Sequence, residues 1–408
     1  GKYVVNGGIS VWELLNQYER AKHISGSAAA FADGTMNIPE SANGVPDILD
    51  EARWELEFML SMQVPPGGIV EGQNLEGMVH SKVHDGTWTG MGLSPDQDDR
   101  QRYLYPPTTA ATLNMAANAA QCARIWATID PTFSARCLAA AETAWTAALA
   151  HPAIYANNWF TGGGGYGDNT VTDEFYWAAS ELFITTGNAT YQTYITTDTA
   201  NYLKIPTELV AGVNINDSFG WPNTTALGNI SLAVVPSTLP PADVQTIKDN
   251  IALAADGYAA NIPLQGYALP YRSGDGGYYW GSNSSILGNM IVLGLAYDFT
   301  GQIQYFNAVS NGMDYLLGRN PNVKSYVSGY GENPMLNPHH RFWAPSIVGF
   351  PAPPPGVLSG GPNSHMDDGY IQGLFPGGCA AAPQKCYADH IDTYSTNEVA
   401  INWNAPLA

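Results

Sequence analysis

The segment TTAATLNMAANAAQCARIWATIDPTFSARCLAAAETAWTAALAHP, residues 108–152, decides the fold class of this chain. Its apolar residues recur at helical spacing, and alanine has the highest intrinsic helix propensity. The turn-forming sequence Ile129-Asp130-Pro131 interrupts the pattern, so we expect two helices that form a hairpin. Because alanine side chains are small, these helices should pack closely against their neighbours.

Helical patterns continue on both sides of this hairpin. In NGVPDILDEARWELEFMLSMQVPPGG, residues 43–68, Pro46 suits the first turn of a helix, and residues 65–67 would end it. One face of that helix carries Ile48, Ala52, Leu56 and Met59. Further helices are predicted over residues 10–23, from a Thr172 cap to Gly187, and in two segments that end at Gly301 and Gly318. Alternating strands are scarce, so the sequence predicts one all-α domain with long functional loops on one face.

The composition argues against several classes of partner. The chain has 408 residues, of which 45% are hydrophobic, enough for a large core. Its formal net charge of −20 would repel nucleic-acid phosphates and anionic lipids, so neither nucleic acid nor a membrane is expected as a partner. No apolar run approaches the ~18 to 20 residues that a membrane-spanning helix needs, and the first residues do not read as a signal peptide.

Four cysteines fall into two close pairs, Cys122 with Cys137 and Cys379 with Cys386. The first pair would lie on opposite arms of the helical hairpin, where a bridge is sterically reasonable. Two local disulfides therefore suit this spacing better than a metal site, and four buried free thiols are the alternative. Together with the low lysine content, the paired cysteines favour a secreted or periplasmic location.

The aromatic content points to a neutral ligand. The chain has 23 Tyr and 11 Trp but only 13% charged residues, and flat rings bury area without ionic complementarity. Sugars fit that description, although most individual rings should simply fill the core. The stretch NPHHRFW, residues 337–343, places two histidines and an arginine behind a stiffening proline, where they can hydrogen-bond several hydroxyls. Adjacent histidines without a nearby Cys, Asp or Glu are a weak metal-binding set.

A second cluster of polar side chains lies near the end of the chain, in CYADHIDTYSTNEVAINWNAPL, residues 386–407. It contains Asp389, His390, Asp392, Tyr394 and Glu398. Glu398 precedes the apolar run of residues 399–401, and a carboxyl in such surroundings loses solvation when it ionises. The pKa of Glu398 should therefore rise, as a general acid working near neutral pH requires. The spacing alone leaves open that Glu398 only caps or pairs locally.

Several longer blocks together resemble a family 9 glycoside hydrolase, of the subgroup whose catalytic domain often follows an immunoglobulin-like module. They are GKYVVNGGIS (1–10), NGVPDILDEARWELEFML (43–60), YPPTTAATLNMAANAAQCARIW (105–126), GYGDNTVTDEFYWAASEL (165–182), NPHHR (337–341) and STNEVAINWNAPL (395–407). The resemblance implies an (α/α)6 barrel and inverting hydrolysis of β-1,4-glucosidic bonds, most often in cellulose or mixed-linkage β-glucans.

The same resemblance implies roles for individual residues. Glu398 stands at the position of the family's general acid. His339, His340 and Arg341 match the residues that contact the sugar, and Asp389 matches an aspartate of the same site. Further substrate contacts are expected from His390, Tyr394, Trp280, Tyr279, Trp343 and Trp88.

An inverting glycosidase needs a second carboxylate as general base. The resemblance implies that this base lies in a DAGD block immediately before GKYVVNGG, and therefore upstream of Gly1. We accordingly expect residues 1–408 to be one catalytic domain without its first helix and its DAGD block. An N-terminal fragment or module preceding residue 1 is a possible partner. Asp33, Asp85 and Asp168 lack matching neighbours and are not substitutes.

Calcium is the expected metal, because it commonly supports loops in this family. Asp173 and Glu174 occupy the matching positions, with carbonyls of Asn169 or Thr170 close by and Asp217 as a weaker candidate. The alternative is that the two acidic residues only stabilise a helix N-terminus. No structural zinc is expected, since His80 and His84 have no cysteine nearby.

The leading hypothesis is an endo-acting β-1,4-glucanase that binds a β-glucan polysaccharide or oligosaccharide. One alternative is an exo-acting cellobiohydrolase, β-glucosidase or glucosaminidase, in which the loops of residues 64–102 and 344–388 close one end of the cleft. Another is a non-catalytic glucan-binding protein, which the base missing from residues 1–408 would favour and the retained Glu398 would disfavour.

Overall fold

The computed structural model describes residues 1–206, 218–272 and 276–408, which are mostly helical. Residue contacts divide the chain into two compact units. Unit 1 comprises Gly1–Trp88, Arg100–Ile205 and Phe219–Lys248; unit 2 comprises Thr89–Asp99, Pro206–Ser218 and Asp249–Ala408. That residues 1–408 form a single catalytic domain stays a prediction.

Unit 1 is built around one helix that is buried on all sides. Its helices are α1 (Val4–His23), α2 (Asp47–Ser61), α3 (Thr109–Trp126), α4 (Pro131–Ala150), α5 (Thr172–Thr186), α6 (Ala189–Thr197) and α7 (Thr225–Val234). Helix α3 packs against α1, α4 and α5, and every residue of it except Arg124 is buried. This close packing follows from the small alanine side chains of α3.

Seven short strands accompany these helices in unit 1. They are β1 (Lys2–Tyr3), β2 (Ile69–Val70), β3 (Gln73–Asn74), β4 (Val79–His80), β5 (Lys82–Asp85), β6 (Arg102–Leu104) and β7 (Pro107–Thr108). Strands β1, β5 and β6 form an antiparallel sheet in which Val83 lies opposite Lys2 on one side and Leu104 on the other. The two remaining sheets pair β2 with β3 and β4 with β7.

In unit 2 the two longest complete helices are α9 (Ser282–Thr300) and α10 (Ile303–Leu316), which pack together. Helix α8 (Pro241–Ala259) begins in unit 1 and ends in unit 2, and the short helices of unit 2 are α11 (Gly369–Leu374), α12 (Tyr394–Asn397) and α13 (Ile401–Asn404). A core of buried tyrosine and aliphatic side chains, with Tyr278 and Tyr315 at 1% and 0% exposure, supports the loops between residues 317 and 393. No described helix is both long and apolar enough to span a membrane.

The structure confirms most of the predicted helices. Helices α3 and α4 form on either side of the predicted turn, and α2 buries the predicted face of Ile48, Ala52, Leu56 and Met59. Three boundaries were wrong. Helix α2 ends at Ser61, before residues 65–67. Helix α1 begins at Val4 rather than at residue 10, because burial of residues 4–13 outweighs the low helix propensity of two glycines. Thr172 is the first residue of α5 and makes no cap, whereas Gly187 ends α5 in the left-handed conformation as predicted.

The two cysteine pairs differ. Cys379 and Cys386 form the predicted disulfide. Cys122 and Cys137 are buried free thiols whose sulfur atoms lie 2.8 Å apart, so the disulfide predicted for this pair is not formed. Free thiols were the alternative that the sequence left open.

Candidate active site

Glu398 directly follows the single helical turn of α12 and leaves it in an extended conformation, with φ −65° and ψ 155°. Its backbone is held from two sides within unit 2. The Gly360 N–H donates to the Glu398 carbonyl at 2.9 Å, and His339 pairs with Glu398 as a parallel β-bridge. The His339 N–H also donates to the carbonyl of Asn397 at 2.8 Å. The predicted acid and the predicted NPHHR stretch therefore lie side by side.

The turn that precedes Glu398 is fixed by Asp368, a buried residue that the sequence analysis missed. One of its carboxylate oxygens accepts from Thr393 Oγ1 at 2.8 Å and from the Ser395 N–H at 3.0 Å, and the other caps α11 at Ile371. Burial alone would raise the pKa of Asp368, but these hydrogen bonds lower it, so the carboxylate stays ionised. The Asp-Gly pair of residues 368–369, at the start of α11, is a local signal that could have identified this residue.

The Glu398 carboxyl accepts a hydrogen bond from a tryptophan. Trp280 Nε1 donates to Glu398 Oε2 at 3.2 Å. Burial raises the pKa of Glu398 to about 7, while the hydrogen bond from Trp280 and the positive charge of Arg341 oppose that rise. A carboxyl with this pKa is partly protonated at neutral pH and can give up its proton there.

Trp280 is placed by the glycine that follows it. Gly281 has φ +85°, and a Cβ atom at this position would lie 2.8 Å from the Trp403 ring, so only glycine fits this turn. The Trp280 ring is 42% exposed and lies 5.4 Å from the Tyr394 ring, centroid to centroid. The Tyr394 ring in turn lies 5.7 Å from the imidazole of His339. These three predicted contact residues form one wall next to Glu398.

The hydrogen bonds of His339 define its tautomer. Its Nδ1 lies 2.6 Å from the Ile391 carbonyl, an acceptor, so Nδ1 carries the proton. Burial lowers the pKa of His339, which keeps the ring neutral near pH 7. Its Nε2 is therefore an acceptor for a hydroxyl group.

His340 has a different role. Its Nδ1 accepts the N–H groups of Phe342 and Trp343 at 3.2 and 2.9 Å, and its ring stacks on Trp343 at 4.3 Å. Burial and the charge of Arg341 lower the pKa of His340 to about 4, so it is neutral. These two rings line an open pocket of about 350 Å³. Val399, the residue after Glu398, lines it as well. The pocket is lined by His340, Trp343, Val357, Val399, Ala400, Ile401 and Asn404.

Arg341 is held at both its backbone and its side chain by residues 89–93 of unit 2. Its Nε donates to Thr89 Oγ1 at 3.2 Å and its Nη2 to the Thr89 carbonyl at 3.3 Å. The N–H groups of Gly92 and Leu93 donate to the Arg341 carbonyl at 3.1 and 3.0 Å. Thr89 is a second residue that the sequence analysis missed, because nothing local links it to a partner 252 positions away.

Asp389 lies under the NPHHR stretch. Its two carboxylate oxygens accept the N–H groups of Leu336 and Asn337 at 2.9 and 2.7 Å, and it forms an ion pair with Lys324 at 2.8 Å. Asn397 donates to it as well, at 3.3 Å. These contacts fix the backbone that leads to His339, and a direct contact of Asp389 with substrate stays a prediction.

The other predicted site residues of unit 2 lie against their own neighbours. The His390 ring stacks on Tyr370 at 4.1 Å, and its Nδ1 accepts the Asp392 N–H at 3.2 Å. The Tyr279 ring lies edge-on to His365 at 4.6 Å. The role of both residues in substrate binding also stays a prediction.

Trp88, Asn169, Thr170, Asp173 and Glu174 belong to unit 1. Trp88 is 54% exposed. Glu174 is fully buried, and neither of its carboxylate oxygens has a hydrogen-bond partner among the described residues. Asp173 accepts from the Thr224 N–H at 2.7 Å, and Asp168 accepts from the Thr170 N–H at 2.7 Å. Asn169 is exposed in the same loop, and Asp217 lies outside the described residues.

Burial raises the pKa of Glu174 well above its ordinary value, and the charges of Asp173 and Asp168 raise it further. The described residues contain no cluster of three or more His, Cys, Asp or Glu side chains arranged to hold a metal ion. Any cation here would therefore depend on backbone carbonyls as well as carboxylates.

Comparison with known proteins gives consistent matches over the whole chain. The model of the family described as glycosyl hydrolase family 9 matches residues 1–408. A protein named cellulose 1,4-beta-cellobiosidase, from Acetivibrio thermocellus, is 52% identical over 100% of this chain and 47% of its own length. Endoglucanase C of Cellulomonas fimi is 46% identical over 100% of this chain and 36% of its own length. The chain thus spans only a third to a half of these two relatives.

Among solved structures, one named Bacteroides ovatus GH9 is similar with a TM-score of 0.82 and 32% identity, over 100% of this chain and 68% of the other. The all-α class with the (α/α)6 barrel that the sequence analysis predicted is confirmed by this similarity.

Proposed function

The chain belongs to glycosyl hydrolase family 9, and from this premise we propose that it hydrolyses internal β-1,4-glucosidic bonds of cellulose or related β-glucans, with Glu398 as general acid. The observation that carries the proposal is the position of the Glu398 carboxyl beside the Trp280 donor and the His339 backbone. Burial there raises its pKa to about 7. The relative named Endoglucanase C supports the endo-acting form of the proposal.

In the proposed reaction Glu398 donates its proton to the glycosidic oxygen as the bond from that oxygen to the anomeric carbon breaks. Water attacks the same carbon from the opposite face, so the configuration is inverted. A second carboxylate about 6.5 to 9.5 Å from the acid would take the proton of that water. The identity and the position of this base stay a prediction.

The neighbours of Glu398 suit a sugar. Trp280 and Tyr394 offer rings for stacking on a pyranose face, and the neutral His339 offers Nε2 as an acceptor for a hydroxyl. Arg341 supplies a fixed cationic donor that lowers the pKa of Glu398 and so keeps the acid able to release its proton. The 350 Å³ pocket beside Trp343 is large enough for part of a glucan chain.

Glu398→Gln in the full-length protein tests the assignment. Turnover of unactivated cello-oligosaccharides should fall by several orders of magnitude, because the amide cannot protonate a poor leaving group. Hydrolysis of a dinitrophenyl β-cellobioside should fall much less, because that leaving group departs without protonation. A loss below about tenfold on the unactivated substrate, in a variant with unchanged melting temperature, would count against Glu398 as the acid.

Exo-action is the second candidate, because the relative with 52% identity is named a cellobiosidase. Product profiles on cello-oligosaccharides labelled at the reducing end separate the two modes. Early products of many lengths support internal cleavage. Release of cellobiose from one end only would replace the endo-acting proposal with the exo-acting one.

We also propose a structural calcium ion at Glu174 and Asp173, completed by carbonyls of residues 169–170. A buried carboxylate without hydrogen-bond donors needs either a proton or a cation, and the two nearby carboxylates favour a cation of high charge. Chelation with EDTA should lower the melting temperature of the wild type by several degrees, and calcium should restore it. Glu174→Gln should lose most of that calcium response, and a response equal to that of the wild type would refute the site.

A location outside the cytoplasm fits the same proposal. The Cys379–Cys386 disulfide is typical of oxidising compartments, and a cellulose chain is too large to enter a cell.

A further inference from the structure

Four aromatic side chains of unit 1 form a row that the proposed reaction does not use. We call Tyr103, Tyr105, Trp159 and Phe160 the aromatic platform. The Trp159 ring stacks on Tyr105 at 5.5 Å and 22°, and the Phe160 ring stacks on Tyr103 at 4.1 Å and 29°. Tyr103 in β6 and Tyr105 just beyond it are two positions apart, so both point to the same side of the extended chain.

The loop that carries Trp159 and Phe160 is held by hydrogen bonds from Lys82 and to Tyr105. The buried Lys82 ammonium donates to Asn158 Oδ1 at 3.1 Å and to the carbonyls of Gly164 and Gly165 at 2.8 and 3.2 Å. It also lies 4.4 Å from the centre of the Tyr105 ring. The Tyr105 hydroxyl accepts the Phe160 N–H at 3.0 Å. These contacts hold both loop rings in place before any ligand arrives, which lowers the entropy cost of binding.

The platform remains open to solvent although its rings are stacked. Trp159 is 50% exposed and Tyr103 is 36% exposed, whereas Tyr105 is buried at 1%. Tyr105 covers one face of the Trp159 indole, so the exposed half of Trp159 includes its other face. A rigid indole with one open face is a stacking surface for another flat, partly apolar ring.

Few charges surround the platform on its exposed side, because the Lys82 side chain beneath it is buried at 2% exposure. Residues 155–166, YANNWFTGGGGY, contain no charged side chain. Arg102 lies next to Tyr103 in β6, and it pairs with Asp85 at 3.6 Å. The exposed Asn158 places a neutral amide beside Trp159. This combination disfavours an anionic or cationic partner. It suits a β-linked glucose unit, whose ring faces carry C–H groups and whose rim carries neutral hydroxyls.

We propose that the aromatic platform binds a β-glucan chain, with Trp159 stacking on a glucose ring and Phe160 and Tyr103 extending the contact. The proposal rests on the proposed function for the identity of the sugar. The platform would add affinity for a polymer beyond the residues that surround Glu398.

Binding is measured by electrophoresis of the full-length protein through gels containing hydroxyethyl cellulose, in the Glu398→Gln background so that the polymer is not consumed. Trp159→Ala and Trp159→Leu should each bind about three- to tenfold more weakly, the range expected for loss of one stacking contact. Trp159→Phe should retain much of the affinity because it keeps a flat ring. Trp54→Ala removes a tryptophan of α2 that is 76% exposed and is the matched control, with unchanged binding expected.

Trp159→Leu separates stacking from general hydrophobicity, because leucine is apolar but not flat. Equal affinity of Trp159→Leu and the parent protein would overturn the proposal, provided the parent binds the polymer. If the parent neither binds nor, with Glu398 restored, hydrolyses any β-glucan, the proposed function fails first. The platform could instead be covered by a second copy of the chain, which sedimentation in the absence of glucan tests. If Trp159→Leu abolishes self-association and leaves glucan binding intact, the platform is a contact between copies and the sugar site is refuted.

Discussion

Trp280→Phe should shift the pH dependence of the reaction, because it removes the donor to Glu398 Oε2 at 3.2 Å and keeps an aromatic ring near Tyr394. A hydrogen bond to a charged group contributes about 1.5–3 kcal/mol. This one is long, and Trp280 is 42% exposed, so solvent reduces its effect to about 0.7–1.4 kcal/mol. Since 1.36 kcal/mol corresponds to one pH unit, the pKa of Glu398 should rise from about 7 by about 0.5–1.

The direction of this shift follows from the protonation state of Glu398 that is active. Glu398 must carry its proton to act as acid, so kcat/KM should fall as the pH rises through the pKa of about 7. Losing the Trp280 donor destabilises the ionised form, and the alkaline limb of the profile should move to higher pH. The assay is initial-rate hydrolysis of cellopentaose between pH 5 and 9, with kcat/KM fitted at each pH.

Trp343→Phe is the matched control, because that ring stacks on His340 at 4.3 Å rather than on the Trp280 wall. Its alkaline midpoint should stay near that of the wild type even if its KM rises. An alkaline midpoint that is unchanged or lower in Trp280→Phe would refute the reasoning. It would mean either that Trp280 does not contact the ionised carboxyl or that Glu398 is not the group that limits the rate at high pH.

Three further predictions concern the support of the site and the core. Thr89→Val removes the acceptor for Arg341 Nε and should raise KM about fivefold. Thr89→Ser keeps the oxygen and should match the wild type. Equal KM values for the two variants would exclude Thr89 as a positioning residue. Thr108→Ala removes the side chain that caps α3 at Ala111 and should cost about 1 kcal/mol in urea unfolding, while Thr143→Ala on the exposed face of α4 should cost under about 0.5 kcal/mol. In the Glu174→Gln variant, isothermal titration calorimetry should show calcium binding that is much weaker than in the wild type. Binding of undiminished affinity would mean that the ion lies elsewhere.

The sequence alone predicted the features that depend on short-range periodicity. The paired helices α3 and α4 and the buried face of α2 follow from apolar spacing, and Gly187 follows from the conformation that ends a helix. The start of α1 was missed, because no local cap marks Val4 and its helical state comes from burial. The blocks that matched a known family were sufficient for the family and the fold class, because they extend over most of the chain.

The chemistry of the site depends on contacts between distant positions. An apolar run after Glu398 indicated a raised pKa, but the donor that opposes it is Trp280, 118 positions away. Arg341 was recognisable in NPHHR, whereas its support by Thr89 was not. The aromatic platform likewise joins residues 103–105 to residues 159–160. Helical patterns are local because backbone hydrogen bonds join residues four positions apart, while desolvation, ring stacking and side-chain hydrogen bonds depend on which remote segments the folded chain brings together.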